Sequence, residues 1–144
     1  QRPDKVQTYG FLLEGPMNKE QFAAGLMQEP ASFYYGVMWN KLYRAELVRA
    51  HEDIQCAEEL DWSEDLYFNL NYIRYAEKFY ALSTPIYNYY NTPGSAVHTV
   101  LNPMNVVTTR AALFNYYKDL YEHMGLYEEY KPQIYKYLVA IAET

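Results

Sequence analysis

Disulfides cannot hold this chain together: its 144 residues include one cysteine, Cys56, and a single thiol has no internal partner. Glycine is scarce too. The six glycines are scattered, so there is no glycine-rich loop of the kind that cradles a phosphate. No apolar run approaches the length of a membrane span, and no signal-peptide pattern is present. Basic charge is in deficit, with 12 Lys and Arg against 18 Asp and Glu and a net charge of −6. That balance excludes non-specific nucleic-acid binding, which needs a basic face. The acids are spread along the chain, with no like-charged block to suggest a tail. There is no Asn-x-Ser/Thr sequon and no internal repeat or low-complexity tract. The lone thiol and the missing sequon point to a reducing, cytoplasmic setting.

What the chain does have is tyrosine, 18 residues of it, within a hydrophobic share of 50%. That share and the length suffice for one domain with a real core. Tyrosine packs as an aromatic and keeps a hydroxyl for water or a sugar. By composition, a half-wet helical core is favoured over a carbohydrate-stacking surface.

The pattern predicts an α+β fold, mostly helical with a few short strands. A strand is expected over 6–13, broken by Gly15-Pro16. Asn18 then caps a short helix, with Gln21 at the capping-box position, Phe22, Leu26 and Met27 along one stripe, and Pro30 at the end. A second helix is expected over about 40–50, then a connector over 53–62 with a short strand at Ile54. Ser63 is a good N-cap for a helix over 63–79, whose first turn holds Glu64 and Asp65. Two stripes mark that helix: Leu66, Leu70, Ile73 and Ala76, and Phe68, Tyr72, Tyr75 and Phe79. Burial on most sides follows. Short strands are expected at 80–82 and 86–90, and a loop at 91–95. Asn102-Pro103 opens a long helix to about Met124, with Val107, Phe114, Tyr117, Tyr121 and Met124 inward and Gly125 as its stop. A last helix over about 127–143, carrying Tyr130, Ile134, Tyr137, Leu138 and Ile141, makes an antiparallel hairpin with it.

The adjacent carboxylates Glu64 and Asp65 are the first candidates for chemistry. Neighbours on a helix point about 100° apart, so the two would do different jobs. One reading is a general base acting on a hydroxyl; the other is helix-end electrostatics, which acids at N-termini serve without any chemistry. Trp39 and Trp62 suit sugar stacking or core packing. Lys41 and Arg44 suit phosphate contacts or ion pairs, with ion pairs favoured. His51, His98 and His123 lack ligand spacing. Cys56 has no nearby base in sequence and reads as a buried thiol. Nothing is similar to a serine triad.

Three blocks occur in order: Trp39-Asn40-Lys41-Leu42-Tyr43-Arg44-Ala45-Glu46-Leu47, Glu64-Asp65-Leu66-Tyr67-Phe68-Asn69 and Pro85-Ile86-Tyr87-Asn88-Tyr89. With this spacing the stretch from about residue 33 to 90 resembles the acceptor-side half of family 2 glycosyltransferases of the GT-A type, in the bacterial branch that builds surface polysaccharides. The family pattern has a second Arg where this chain has Ala45, and beyond about residue 100 no family motif is recognised.

The resemblance implies the C-terminal fragment of an α/β GT-A fold, with 1–100 as the acceptor-side part and 101–144 as a helical hairpin. It implies transfer of a sugar from a nucleotide-sugar donor to a saccharide acceptor, with inversion, in cell-surface polysaccharide synthesis. Asp65 takes the role of the base that deprotonates the acceptor hydroxyl, and Glu64 orients the acceptor. Trp62, Trp39, Asn40 and Lys41 are the implied acceptor-binding residues. The family's nucleotide-binding half, with its Asp-x-Asp motif, has no counterpart: the five aspartates stand at 4, 53, 61, 65 and 119. A divalent metal, Mg or Mn, is accordingly expected for a full-length parent and not for this fragment. His98 is the one histidine placed as a metal ligand in the family's manner, against the default of a plain loop histidine. The chain opens at Gln1 rather than Met, so an upstream half is expected, and the fragment alone is expected to be inactive. The parent would be cytoplasmic, with peripheral membrane association as an option. An orphaned half should expose apolar surface and self-associate. The alternative is a non-catalytic module: a helical one binding partners through the tyrosine-rich hairpin, or a carbohydrate-binding one.

Overall fold

A computed structural model describes residues 10, 12–28, 36–57, 64–88, 90 and 103–139. Among them the order of elements is β1 (Gly15–Asn18), α1 (Lys19–Leu26), α2 (Ala45–Ala50), α3 (Glu64–Tyr75), β2 (Lys78–Ala81), α4 (Pro103–His123) and α5 (Tyr127–Val139). The fold is α+β with helices predominating, and its described strands form one two-stranded antiparallel ribbon. No described helix is long and apolar enough to cross a membrane.

The first strand does not lie where expected. Gly10, Leu12 and Leu13 are not in a strand, and residues 1–9 and 11 lie outside the described part. Gly15-Pro16 opens the strand instead of breaking it. Gly15 takes φ +134°, which side-chain-bearing residues rarely adopt. Pro16 has no N–H to donate, and a two-stranded ribbon leaves an outer edge where none is needed. The register pairs Gly15 with Ala81, Pro16 with Tyr80, Met17 with Phe79 and Asn18 with Lys78. Asn18 ends β1 and caps α1: its side chain accepts the Gln21 N–H at 2.8 Å, and Gln21 Oε1 accepts the Asn18 N–H at 3.0 Å, closing the expected capping box. The helix ends at Leu26 with Met27 as C-cap; Pro30 lies outside the described residues.

Helix α3 ends at Tyr75, earlier than its apolar periodicity predicts. Leu66, Leu70, Ile73 and Ala76 are all buried, as that stripe requires. Phe79, however, belongs to β2 and stacks face to face on Phe22 of α1, with centroids 4.0 Å apart. Strand pairing and this ring contact win over one more helical turn. The expected strand at 86–90 does not form: Ile86, Tyr87, Asn88 and Tyr90 are exposed and irregular, and Tyr89 lies outside the described part. Ile54 is buried, but in an irregular connector.

The long helix runs from Pro103, as proline's preference for the first position predicts. Gly125, at φ +72°, ends it. The Leu126 N–H donates to the Tyr121 carbonyl at 2.9 Å and the Gly125 N–H to that of Glu122 at 3.0 Å, the two bonds of a Schellman cap. Val107 is exposed, contrary to its expected inward place; Leu113, Tyr117, Leu120 and Tyr121 form the buried face. Helix α5 continues at least to Val139, with Pro132 inside it and Ile134 fully buried. Tyr121 meets Tyr130, and Phe114 meets Tyr135, a pairing order that makes α4 and α5 antiparallel. The side chains of Tyr137 and Leu138, and the whole of Ile141, lie outside the described part.

One apolar cluster joins these elements: Ala23, Leu26 and Met27 of the α1 region, Leu66, Leu70 and Ile73 of α3, Leu113, Tyr117, Leu120 and Tyr121 of α4, and Ile134 of α5. Tyr121 packs there fully buried and donates its hydroxyl to the Ala23 carbonyl at 2.6 Å. Arg74 and Asp119 pair at the rim between α3 and α4. Removal of the hydroxyl in Tyr121→Phe is expected to cost about 1 kcal/mol, and truncation in Tyr121→Ala about 3–5 kcal/mol. Urea unfolding of the two variants measures both.

Candidate functional site

The polar face of α3 builds the site. Asp65, Asn69 and Tyr72 follow one another at helical spacing and so share a face, and each bonds the segment 36–44. The Asp65 carboxylate accepts the Met38 N–H through Oδ2 at 3.0 Å. The Asn69 amide donates to the Gly36 and Val37 carbonyls at 3.2 and 3.3 Å, and its Oδ1 accepts the Tyr43 hydroxyl at 2.6 Å. The Tyr72 hydroxyl accepts the Arg44 N–H at 2.8 Å. The Tyr43 ring stands edge-on to Phe68 and Tyr72.

These contacts explain why no helix forms over 40–44, where one was expected. The backbone groups of Val37, Met38 and Arg44 are taken by α3 side chains, and the Lys41 N–H turns back to the Met38 carbonyl at 3.1 Å. The helix therefore begins only at Ala45. A neighbouring connector is held the same way. Asn71 donates to the Asp53 carbonyl at 3.0 Å, Tyr75 donates its hydroxyl to Asp53 Oδ2 at 2.7 Å, and the Tyr75 ring stacks on His51.

The blocks around Trp39 and Asp65 thus come together. Trp39 is half-buried and stacks on Tyr87, with centroids 4.4 Å apart, which joins the third block to the first. The Lys41 ammonium donates to the Val37 carbonyl at 2.5 Å and to Asn40 Oδ1 at 2.7 Å. Glu64 is exposed at the helix start beside half-buried Asp65. Trp62, Ser63 and His98 lie outside the described residues. His51 and His123 sit on different elements, and among the described residues no three His, Cys, Asp or Glu side chains converge as metal ligands.

Electrostatics converge on Asp65. Burial lowers the Lys41 pKa from its ordinary 10.5 to about 7, with the Asp65 charge pulling it back up. Burial first, and Asp65 next, raise the Tyr43 phenol. Cys56, expected to be buried, is exposed. Partial desolvation, then the charges of Asp65 and Glu64, hold its thiol above the ordinary value. A raised thiol carries little thiolate at neutral pH, so Cys56 is a poor nucleophile here.

Comparison with known proteins gives no match to a protein family, a curated protein or a solved structure.

Asn69 is the residue that sequence reasoning undervalued. It is the buried polar side chain of the described core, 3% exposed. The available signal was its place beside Phe68 and Leu70 on a helix predicted to be buried on most sides, where an amide needs partners. Asn69→Ala strands the Tyr43 hydroxyl and the Gly36 carbonyl and is expected to cost about 2–3 kcal/mol, read by chemical denaturation.

The Lys41 shift gives a pH dependence. The unfolded chain keeps this proton up to 10.5, while the folded chain gives it up near 7. The unfolded state therefore binds more protons between those values, and stability rises with pH across that window on account of this group. Lys41→Met is expected to stabilise the chain most below pH 7, with the gain shrinking toward pH 10 in denaturation curves taken at each pH.

Proposed function

We propose that this chain is the acceptor-side portion of an inverting family 2 glycosyltransferase that transfers a sugar from a nucleotide-sugar donor to a saccharide acceptor in bacterial surface-polysaccharide synthesis. The observation that supports the reading is the Asp65–Met38 hydrogen bond. It sets the Glu64-Asp65 turn against the Trp39-Asn40-Lys41 segment, although 23 residues of sequence stand between Lys41 and Asp65. A carboxylate at a helix start beside an aromatic pair and an amide is a chemically sensible place to hold and deprotonate a sugar hydroxyl.

In this reading the acceptor oxygen attacks the anomeric carbon as the bond from that carbon to the diphosphate oxygen breaks. Asp65 takes the hydroxyl proton. Its Oδ2 is engaged by the Met38 N–H, so Oδ1 is the proton's destination. Glu64, Trp39, Trp62, Asn40 and Lys41 orient the acceptor. The donor, and a divalent Mg or Mn ion to neutralise the leaving diphosphate, belong to a nucleotide-binding half outside this sequence. The enzyme acts in the cytoplasm.

The second reading, an interaction module, draws on a different observation. Leu82, Ile86, Tyr87 and Tyr90 are exposed together along the stretch after β2, with Tyr90 at 77%. The hairpin itself supports this reading less than its tyrosine content suggests, because Tyr117 and Tyr121 are fully buried and Tyr116, Tyr127 and Tyr130 pack against the core.

The deciding experiment is Asp65→Asn in a chain joined to a nucleotide-binding half. An asparagine Oδ1 still accepts the Met38 N–H, so the clamp survives while the base is lost. Transfer is expected to fall by about 10²–10⁴-fold with the unfolding midpoint close to that of the parent. Unchanged transfer removes Asp65 from the mechanism, and no turnover by the joined chain with any nucleotide sugar sinks the transferase reading.

A further inference from the structure

The two edges of the β1–β2 ribbon differ. Pro16 has no N–H, and the Asn18 N–H is taken by Gln21 Oε1 at 3.0 Å. Antiparallel ladders alternate between pairs that exchange hydrogen bonds and pairs that do not. The bonds therefore run through Gly15–Ala81 and Met17–Phe79, and the backbone groups of Pro16, Asn18, Lys78 and Tyr80 face outward. On the β1 side the outward donors are missing or taken, which blunts that edge against pairing. On the β2 side Lys78 and Tyr80 keep theirs, and among the described residues no third strand lies along them. The outer face carries a further signal. Outward positions of a half-solvated sheet are ordinarily polar, yet Pro16 and Tyr80 stand opposite each other there, Tyr80 62% exposed, and Leu82 follows at 52%. Exposed Glu14 lies at the Leu82 end, where the Ser83 hydroxyl bonds its carboxylate past the last ladder pair. Exposed Lys78 stands at the other end.

We propose that the outer edge of β2 pairs with the same edge of a second copy of this chain, antiparallel about a two-fold axis at Tyr80, to make a four-stranded sheet. The contact is isologous, each copy giving the same surface. Tyr80 exchanges backbone bonds with the partner's Tyr80, and Lys78 comes opposite the partner's Leu82. An edge lysine ordinarily discourages pairing, and here charge selects the register. An axis at Lys78 would set two like charges face to face, which is unfavourable. With the axis at Tyr80, each Lys78 stem crosses the partner's Leu82 and its ammonium reaches the partner's Glu14 one strand further on. Strands lie about 4.8 Å apart, and long side chains with apolar stems bridge such a gap. Pro16 and Tyr80 of both copies make the apolar middle row. The β1 edges left outside carry Pro16 and the capped Asn18, so assembly stops at two copies. The proposal uses the ribbon alone, so it stands or falls apart from the transferase reading.

Sedimentation velocity on the intact chain over a dilution series at low ionic strength, where exposed charges act, tests the pairing, with circular dichroism to check the fold. A reversible monomer–dimer equilibrium is expected. Tyr80→Pro removes the central edge N–H, which faces away from β1, and is expected to leave only monomer with the helical signal unchanged. Lys78→Glu and Glu14→Lys each set like charges across the axis and are expected to weaken the dimer about tenfold. Mixed in equal amounts, the two variants should regain it, because every facing pair in a mixed dimer is again of opposite sign. If Tyr80→Pro unfolds, the charge reversals, made on exposed side chains, decide alone. A chain that stays monomeric at every concentration overturns the proposal. So does a dimer that both reversals leave intact, and so does a mixture that restores nothing, since the contact then lies on another surface.

Discussion

The amide of Asn69 is the constraint on which the site depends. Buried in helix α3, it cannot turn to water, and it hydrogen-bonds Gly36, Val37 and Tyr43 of the segment 36–43. A buried amide left without partners costs more than a satisfied one gains. The segment is therefore held where Asn69 needs it, and Trp39, Asn40 and Lys41 are held with it. Asp65 one turn before and Tyr72 one turn after complete the clamp.

Helix α3 thus works on two sides at once. Leu66, Leu70 and Ile73 bind it to α1 and α4 through the apolar core. Its polar residues fasten two irregular connectors, one through Asp65, Asn69 and Tyr72, the other through Asn71 and Tyr75 at Asp53. The irregular segments need little regular structure of their own, because the helix supplies their hydrogen bonds. A rigid helix is also a better platform for a site than a loop. That ties the packing of the core to the placement of the Asp65 carboxylate and the Lys41 amine.

Electrostatics add a second layer. Lys41, Tyr43 and Cys56 all respond to the Asp65 charge. Burial and a carboxylate act in opposite directions on Lys41 and in the same direction on Tyr43 and Cys56. One environment consequently makes a lysine easier to deprotonate and a phenol and a thiol harder. Acid–base assignments at a site arise from such divergence.

Much of the helical framework was legible in sequence, since capping and burial leave local marks. Asn18 with Gln21, Pro103 and Gly125 each set a helix end where their chemistry predicts, and the Leu66, Leu70, Ile73 and Ala76 stripe is buried as its spacing requires. The hydrogen bond from the Met38 N–H to Asp65, which joins the first two blocks, leaves no local mark in sequence. Tertiary structure alone decided the rest. Residues 40–44 carry helix-compatible side chains, yet α3 claims their backbone partners. Phe79 continues a helical stripe, yet a ring on α1 and a strand partner at Met17 draw it into the ribbon. Lys41 reads in sequence as a phosphate contact or an ion-pair partner, and only the fold shows that burial lowers its pKa. Local sequence determines what a segment prefers; only the fold determines which neighbours compete for its hydrogen bonds and how much solvent reaches its charges.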